Sequence, residues 1–292
     1  MISSENSLKE IVKNALNEDV GKGDITSLAS LEPMPVEAIV TAKSDGILSG
    51  LIPALMVFEI VDSANEIKVL KKDGDKFQRG EIILEIKGFN QTVFIAERTA
   101  LNFLGHLSGI ASETNHYLKE IKNYECKILD TRKTTPGLRG LEKQAVKDGG
   151  GVNHRMGLYD MILIKDNHIA SAGSITKAVS NAGEYLKTSD FRLQFDKTAE
   201  DIQIEVEVTT SKELKEAVSC GIKRLLLDNQ SEQQLKKMVT LARRLDSQCI
   251  LEASGKITLE NAAAIASTGV DFISVGSITH SAPISDFSLT IL

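Results

Sequence analysis

From about residue 125 onward, short apolar runs alternate with amphipathic segments, and this alternation constrains the fold more than any other feature of the chain. The runs have the length of strands and cover residues 127–130, 161–165, 202–208, 224–228, 249–253 and 272–275. The helical segments between them cover roughly residues 139–147, 175–186, 212–220, 232–245 and 259–267. Repeated strand–helix alternation predicts a parallel sheet, which is either closed into a barrel or open and wound on both faces.

Polar residues at the ends of these runs favour the barrel. Each run is followed or closed by residues able to bind or react with a ligand: Arg132 and Lys133, Lys165, Glu207, Asp228, Ser254 with Gly255, and Gly276 with Ser277. In a (β/α) barrel the carboxyl ends of all strands meet at one mouth, whereas an open sheet uses only the crevice at its switch point. We therefore predict a barrel with a polar mouth.

The run at residues 202–208 carries acids on one face. Gln203, Glu205 and Glu207 alternate with apolar residues, so the period of a strand places these three side chains together. Acids that face a packed barrel interior are costly unless they meet cations, a metal or hydrogen-bond donors. We expect such partners there.

Residues 129–168 concentrate positive charge. This window holds seven lysine and arginine residues and five acids, a net charge of +2, whereas the whole chain carries −6. A local cationic concentration in an acidic protein indicates a small, multiply anionic ligand rather than a nucleic acid, which would favour a broad basic surface. A solvated basic face is the alternative. The glycines at 149–151 and Lys165 at the end of an apolar run argue against it.

The N-terminal third predicts a separate α+β domain. Residues 8–20 have helical spacing, a helix is expected at about 53–61, and strand-like runs at 36–41, 67–70 and 82–86 surround glycine-containing turns. The hairpin at 66–87 resembles biotinyl and lipoyl carrier modules but has no lysine at a tight hairpin tip. Residues 91–112 predict a long helix that is apolar around most of its circumference, and we expect such a helix to be buried within the protein or between subunits. Arg98 interrupts that apolar surface.

The cysteines, the N-terminal segment and the lengths of the apolar segments indicate the cellular compartment. The three cysteines, Cys126, Cys220 and Cys249, lack metal-ligand spacing, and we expect reduced thiols. The N-terminal segment is polar and acidic, unlike a secretory signal, and the apolar segment 51–61 is too short for a membrane span. We therefore expect a cytoplasmic protein that binds neither membrane nor nucleic acid.

Several long passages resemble a known family. They are AERTALNFLGHLSGIAS, LDTRKTTPGLRGLEKQAVKDGGGVNHRMGLYDMILIKDNHI, IEVEV, LLLDN, LEASG and ISVGSITHSAP, and they extend from residue 96 almost to the C-terminus. They resemble the quinolinate phosphoribosyltransferases, the carboxylating nicotinate-nucleotide pyrophosphorylases. The resemblance implies an α/β class, type II phosphoribosyltransferase-like fold. An α/β-sandwich domain (residues 1–112) precedes an incomplete, about seven-stranded α/β barrel (113–280) and a tail (281–292) that returns to the N-terminal domain.

The resemblance also implies an activity. Such an enzyme is a pentosyltransferase that converts quinolinate and phosphoribosyl pyrophosphate to nicotinate mononucleotide, CO2 and pyrophosphate, with Mg2+, in de novo NAD biosynthesis. Family members form homo-oligomers, dimers or hexamers, whose active sites lie at dimer interfaces. Quinolinate has two adjacent carboxylates, and planar guanidinium groups bind carboxylates bidentately.

Specific residues of this chain match the family's binding sites. By similarity, the quinolinate pocket is lined by Arg132, His154, Arg155 and Lys165, with Arg98 contributed by the partner subunit. The 5′-phosphate site corresponds to Ser254, Gly255, Gly276 and Ser277, helped by His280. Catalysis is assigned to Lys133 and Lys165, which take pyrophosphate charge, and to Glu207 and Asp228, which hold Mg2+ or the ribose hydroxyls. Lys256 departs from the pattern, because a second small residue, usually glycine, is expected after Gly255.

Two alternatives remain at this point. The first is a related phosphoribosyltransferase of the same fold that acts on another acid, such as nicotinate, or a molybdenum-pathway homologue. The second is a non-catalytic carrier or metabolite-binding protein built on the N-terminal hairpin, which would release no pyrophosphate. Release of CO2 from quinolinate separates both from the family's reaction.

Overall fold

A computed structural model describes residues 5–292, and the backbone divides into two compact units. The first comprises residues 5–116, Lys133–Gly151 and Ser277–Leu292, and the second comprises Tyr117–Arg132 and Val152–Gly276. Among the helices of this described part, none has the length and apolar character that crossing a membrane requires.

The first unit is built on an antiparallel sheet. Its strands are β1 (Pro35–Ala42), β2 (Gly46–Ile47), β3 (Glu66–Val69), β4 (Lys76–Phe77), β5 (Ile82–Phe89) and β12 (Phe287–Ile291). Its helices are α1 (Glu5–Val20), α2 (Ile25–Ser30), α3 (Leu51–Val61), most of α4 (Asn90–Glu120), α5 (Arg139–Asp148) and α12 (Ser277–His280). The main sheet has the order β12-β1-β5-β3, and β2 pairs with β4.

The C-terminal strand β12 forms an edge of this sheet. It runs antiparallel to β1, with Ala38 opposite Ile291 and Ala42 opposite Phe287. Alternate residues of β1, including Ala38, Val40 and Ala42, are buried, which is the burial pattern of a strand with one face on a core. The chain's last residues are therefore part of the first unit's sheet.

The second unit consists of parallel strands with intervening helices. The strands are β6 (Lys127–Leu129), β7 (Ile162–Ile164), β8 (Ile204–Val208), β9 (Arg224–Asp228), β10 (Ile250–Ser254) and β11 (Phe272–Ser274). The helices are α6 (Asp166–Ala172), α7 (Ile175–Leu186), α8 (Ser189–Phe195), α9 (Ser211–Ser219), α10 (Glu232–Leu245) and α11 (Leu259–Ala266). All six predicted strands are present, each within two residues of its expected bounds.

Strand order identifies an incomplete barrel. The sheet runs β6-β11-β10-β9-β8-β7, so strands from β7 to β11 are neighbours in chain order and β11 then pairs with the first strand, β6. Val152 forms a parallel bridge with Leu129 on the other side of β6 and takes the place of a short seventh strand. A doubly wound sheet would instead reverse its order at a switch point. The predicted barrel class is therefore confirmed, with six regular strands and one bridge.

The glycine triplet at 149–151 has a packing role. A Cβ atom on Gly149 would lie 2.3 Å from the carbonyl oxygen of Ala111, and one on Gly151 would lie 2.8 Å from Thr114. Gly150 has a φ of 94°, a conformation that favours glycine. These glycines let the end of α5 lie directly against α4.

Local differences from the prediction have simple causes. Helix α4 extends to Glu120 rather than 112, because its second half becomes amphipathic but stays helical. Helix α2 was not predicted, and Asp24 caps it by accepting hydrogen bonds from the backbone amides of Thr26 and Ser27. The short helices α6 and α8 were not predicted either.

Candidate active site

Four of the predicted residues lie at the carboxyl ends of neighbouring barrel strands. Lys165 follows β7 directly, Glu207 is the penultimate residue of β8, Asp228 ends β9 and Ser254 ends β10. The Nζ of Lys165 contacts Oε2 of Glu207. The Lys165 side chain is 44% exposed and that of Glu207 only 10% exposed, so the lysine shields a nearly buried carboxylate. This edge of the barrel is called the strand-end rim below.

The turns after β9 and β10 support each other. Asn229 has a φ of 52°, its backbone N–H donates to the carbonyl of Ser254 at 2.9 Å, and its Nδ2 donates to Oδ2 of Asp228 at 2.6 Å. A Cβ on Gly255 would lie 2.2 Å from Oδ1 of Asn229, so only glycine fits there. Lys256 is exposed and has a φ of 51°, which explains why glycine is expected at this position.

A buried ionic cluster lies within the barrel. Nε2 of His154 is 3.2 Å from Oε2 of Glu205 and 3.4 Å from Oε1 of Glu252. Arg224 joins both acids, with Nε 3.2 Å from Glu205 and Nη2 2.9 Å from Glu252. Ser274 donates its hydroxyl to Glu252. Both carboxylates are fully buried, and the predicted need of Glu205 for a cation or a donor is met by Arg224 and by Nε2 of the imidazole.

The cluster shifts the pKa values of its members. Burial, and then the nearby charge of Glu252, raise the pKa of Glu205, although the hydrogen bond from His154 and the charge of Arg224 oppose this shift. Burial also acts on Glu252, but hydrogen bonds and charge from His154, with help from Ser274 and Arg224, lower its pKa. For His154, burial disfavours charge, yet the hydrogen bonds to Glu205 and Glu252 outweigh it and raise the pKa to about 9.

The Arg155 amide acts on the other side of the imidazole. It donates to Nδ1 of His154 at 2.7 Å, a contact that requires a lone pair on Nδ1 and opposes the second proton that the carboxylates favour. A local backbone contact this short assigns the ring proton to Nε2, between Glu205 and Glu252. The backbone amide of His154 in turn donates to Oδ1 of Asp130 at 2.9 Å.

Arg155 lies close to a second guanidinium. Its Nη1 donates to the carbonyl of Met161 at 3.1 Å. Burial, and then the nearby positive charge of Arg132, lower the pKa of Arg155, while Asp160 and Glu205 favour its charge. Two guanidinium groups of one barrel are therefore held near each other, and both are half-buried.

A cavity of about 330 Å³ surrounds His154 and Arg155. Its other lining residues are mostly polar and precede β7 or β8, or begin β9: Asn153, Asp160, Met161, Glu200, Asp201, Gln203 and Arg224. None of the rim residues Lys165, Glu207 and Asp228 lines this cavity. The predicted residues of the second unit thus form two groups, one at the strand-end rim and one around the buried cluster.

Two sets of side chains could hold a metal ion. Glu207 and Asp228 offer oxygen ligands at the ends of adjacent strands, which suits Mg2+, although the lysine at the rim competes for Glu207. In the buried cluster, ligand atoms of His154, Glu205 and Glu252 lie within 4.8 Å of one another. There the guanidinium of Arg224 contacts both carboxylates, so a cation of the protein itself already lies beside the acids that a metal ion would bind.

The remaining predicted residues belong to the first unit or lie next to its boundaries in the chain. Arg98 is exposed on α4, Lys133 is exposed, and the Lys133 carbonyl accepts a hydrogen bond from the Thr279 hydroxyl at 2.8 Å. Gly276 follows β11, Ser277 begins α12, and the exposed His280 has Nδ1 2.7 Å from the hydroxyl oxygen of Ser281. Lys143, one of the cations of the basic window, is fully buried on α5.

Sequence reasoning missed three members of the buried cluster. Arg224, Glu252 and Ser274 were not singled out, although Arg224 begins a largely apolar strand, Glu252 lies within one and Ser274 ends one. A polar residue within an apolar run that predicts a buried strand was the available signal.

Comparisons with known proteins cover nearly the whole chain. The family model for the quinolinate phosphoribosyl transferase N-terminal domain matches residues 24–108, and the model for the C-terminal domain matches residues 110–290. A probable nicotinate-nucleotide pyrophosphorylase [carboxylating] of Bacillus subtilis is 39% identical over 97% of this chain and 93% of its own length. The chloroplastic nicotinate-nucleotide pyrophosphorylase [carboxylating] of Arabidopsis thaliana is 40% identical over 97% and 82%.

Solved structures agree with this likeness. The nicotinate-nucleotide pyrophosphorylase of Francisella tularensis superposes with a TM-score of 0.91 at 39% identity, covering 99% of this chain and 97% of that one. The corresponding protein of Ehrlichia chaffeensis gives 0.89 at 36% identity and covers 100% of both chains. Sequence and fold thus point to the same group of proteins over nearly the whole of this chain.

Proposed function

The chain belongs to the quinolinate phosphoribosyltransferase family, and we propose that it transfers the phosphoribosyl group of phosphoribosyl pyrophosphate to quinolinate. The products are nicotinate mononucleotide, CO2 and pyrophosphate, as required in de novo NAD biosynthesis. The observation that carries this proposal is the pair of half-buried guanidinium groups, Arg132 and Arg155, whose burial and mutual repulsion lower the pKa of Arg155. A ligand with two adjacent carboxylates, such as quinolinate, relieves that repulsion and accepts hydrogen bonds from the paired N–H donors of both guanidinium groups.

The strand-end rim supports a role in pyrophosphate departure. Lys165 is half-exposed beside a nearly buried carboxylate, so its ammonium group is held in one place while still open to a ligand. We assign to Lys165 and Lys133 the negative charge that develops on the leaving pyrophosphate, and to Ser254, Gly255, Gly276 and Ser277, with His280, the 5′-phosphate. Catalysis of this kind rests on positioning and electrostatics rather than on a protein nucleophile.

The metal is part of the proposal. Glu207 and Asp228 would hold Mg2+ or the ribose hydroxyls, because their oxygens lie at the ends of adjacent strands. When bound, the ion supplies positive charge to the pyrophosphate. Direct ligation by Glu207 would require that carboxylate to give up part of its contact with Lys165.

The chemistry balances without an oxidant or reductant. The pyridine nitrogen of quinolinate attacks C1′ of the ribose as the bond from C1′ to pyrophosphate breaks. The resulting pyridinium ring accepts the electron pair of the adjacent carbon–carboxylate bond, CO2 leaves, and a proton from solvent takes its place on the ring. The second carboxylate stays in the product and remains a ligand for an arginine side chain.

The proposal extends to assembly. Arg98 is exposed on α4, whose neighbouring residues Ala96, Thr99 and Ala100 are buried. We propose that it serves the site of a partner subunit in a homo-oligomer. Mixing an Arg98→Ala variant with a variant inactivated at Lys165 tests this idea, because shared sites regenerate some activity only in the mixture.

One assay tests the function. Purified protein is incubated with carboxyl-labelled quinolinate, phosphoribosyl pyrophosphate and Mg2+, and both CO2 and pyrophosphate are measured. Release of the two products in equal amounts is expected. Pyrophosphate release with nicotinate but not with quinolinate would indicate a related phosphoribosyltransferase, and release of neither product would leave a binding protein.

A further inference from the structure

The His154 imidazole is engaged by protein at both ring nitrogens. Nε2 faces the carboxylates of Glu205 and Glu252, and Nδ1 accepts the amide N–H of Arg155. A ring held from both sides has its orientation set by the barrel. Its side chain is 7% exposed, so only a small part of the ring can touch a ligand.

The two acids are themselves held in place. Arg224 bridges them, and its guanidinium carbon lies 5.0 Å from the centre of the Phe272 ring. Glu252 receives a further hydrogen bond from Ser274. Because these residues come from three adjacent strands, β8, β9 and β10, and from β11, the anchor for the imidazole is the barrel itself. An anchor on strands positions a side chain more accurately than one on a loop.

The contact with Arg155 links this anchor to the proposed ligand site. Arg155 follows β6 and the Val152 bridge in an irregular segment, where local structure alone does not define the guanidinium position. The hydrogen bond from the Arg155 amide N–H to Nδ1 of His154 holds the backbone end of the residue. The hydrogen bond from Nη1 to the Met161 carbonyl holds the guanidinium end. The direction of the guanidinium therefore depends on the imidazole.

We propose that Glu205, Glu252 and Arg224 are positioning residues that clamp the His154 imidazole, and that His154 in turn aims the Arg155 guanidinium at a carboxylate of the ligand. This inference rests on the proposed function for the identity of the ligand, a 1,2-dicarboxylate. It gives the buried cluster a task in binding, since charge-compensated pairs of this kind contribute little to stability by themselves. It also makes His154 a residue that positions Arg155, rather than one that binds the ligand directly.

The test compares two probes by isothermal titration calorimetry. Phthalate carries two adjacent carboxylates and benzoate carries one. In Glu252→Gln and Glu205→Gln the side chains keep their shape and an acceptor oxygen but lose their charge, so the hold on the imidazole is weakened. We expect phthalate to bind about tenfold more weakly to each variant, with benzoate changed by less than about threefold, because only the dicarboxylate needs both guanidinium groups aligned.

Kinetics give a second reading on the same variants. The KM for quinolinate should rise about tenfold while the KM for phosphoribosyl pyrophosphate stays within about twofold. The matched control is Glu232→Gln, which removes a carboxylate from an exposed ion pair with Lys236 on α10 and should change neither quantity. Equal losses for both probes, or no loss for either, would overturn the proposal.

A further variant covers failure to fold. If the circular dichroism of both glutamine variants shows unfolded protein, His154→Asn keeps an acceptor near the Nδ1 position and removes the Nε2 donor, so it disconnects the imidazole site from the acids. A selective loss of phthalate affinity is again expected, and an equal loss for benzoate contradicts the inference. The calorimetry needs no turnover, so a wild-type protein that releases no CO2 refutes the proposed function without deciding this test.

Discussion

Lys165 and Glu207 form an ion pair between the ends of β7 and β8, in which a half-exposed ammonium group covers a carboxylate that is 10% exposed. Their strands are direct neighbours, with Ile164 opposite Val206. The pair places one half-exposed cation and one nearly buried acid together at the strand-end rim. Its two members are expected to act on different parts of the reaction.

Replacing Lys165 by Ala should lower kcat by about a hundredfold or more, because a cation at the leaving group stabilises charge that develops only in the transition state. Glu207 would also be left without its partner. Steady-state kinetics with quinolinate measure the effect. Lys236→Ala, which removes a lysine from an exposed ion pair on α10, is the matched control and should retain full activity.

Replacing Arg155 by Ala should abolish measurable quinolinate binding, because the guanidinium of Arg132 alone cannot form bidentate hydrogen bonds with two carboxylates. Arg155→Lys should recover little, since an ammonium group lacks the planar fork. Calorimetric titration with quinolinate measures both variants. Unchanged turnover in Arg155→Ala would refute the role assigned to this residue.

Gly109→Ala should destabilise the protein by about 2 kcal/mol. A Cβ at this position of α4 would lie 2.1 Å from the carbonyl oxygen of Pro283, in the segment that leads to β12. Gly183→Ala in α7 is the matched control, because nothing lies within 4 Å of its Cβ position. There the higher helix propensity of alanine should stabilise by about 0.5–1 kcal/mol. Denaturant unfolding of both variants distinguishes the two effects, and equal shifts would contradict the packing argument.

Asp73→Asn should stabilise the protein at neutral pH but not in acid. Burial, and the nearby charge of Asp148, raise the pKa of Asp73 to about 6, although a hydrogen bond from the Leu51 amide opposes them. The folded state therefore holds this proton more tightly than the unfolded chain, whose value is 3.8, and stability is lost as pH rises from about 4 to about 6.

Asparagine carries no charge at any pH, so the variant escapes this loss. Its advantage should be on the order of 1–2 kcal/mol above pH 6, allowing for the partial exposure of the site, and should vanish towards pH 4. Urea unfolding across this range measures the difference. An advantage that does not depend on pH would contradict the assigned cause.

Lys256→Gly should stabilise the turn after β10 by about 0.5–1 kcal/mol, because the lysine occupies a left-handed conformation with a φ of 51°. The KM for phosphoribosyl pyrophosphate decides whether the side chain also matters for the ligand. Since Lys256 is exposed, we expect this KM to stay unchanged. A weaker affinity in the variant would assign the ammonium group to the 5′-phosphate.

The sequence alone determined the barrel strands, most of the helices and the rim residues. Apolar runs, strand-helix alternation and polar residues at strand ends are local patterns, and each strand lies within two residues of its predicted bounds. Residues that end or follow strands, such as Asp228 and Lys165, could therefore be assigned to one edge of the sheet from these local patterns.

Only the tertiary structure decided which distant segments meet. Strand β11 pairs with β6, β12 pairs with β1, and His154 meets acids from β8 and β10. Such contacts depend on strand order and register, which local periodicity does not encode. Arg224, Glu252 and Ser274 of the buried cluster were missed for this reason: these residues come from separate strands and meet His154 and Glu205 only after the barrel has brought them together.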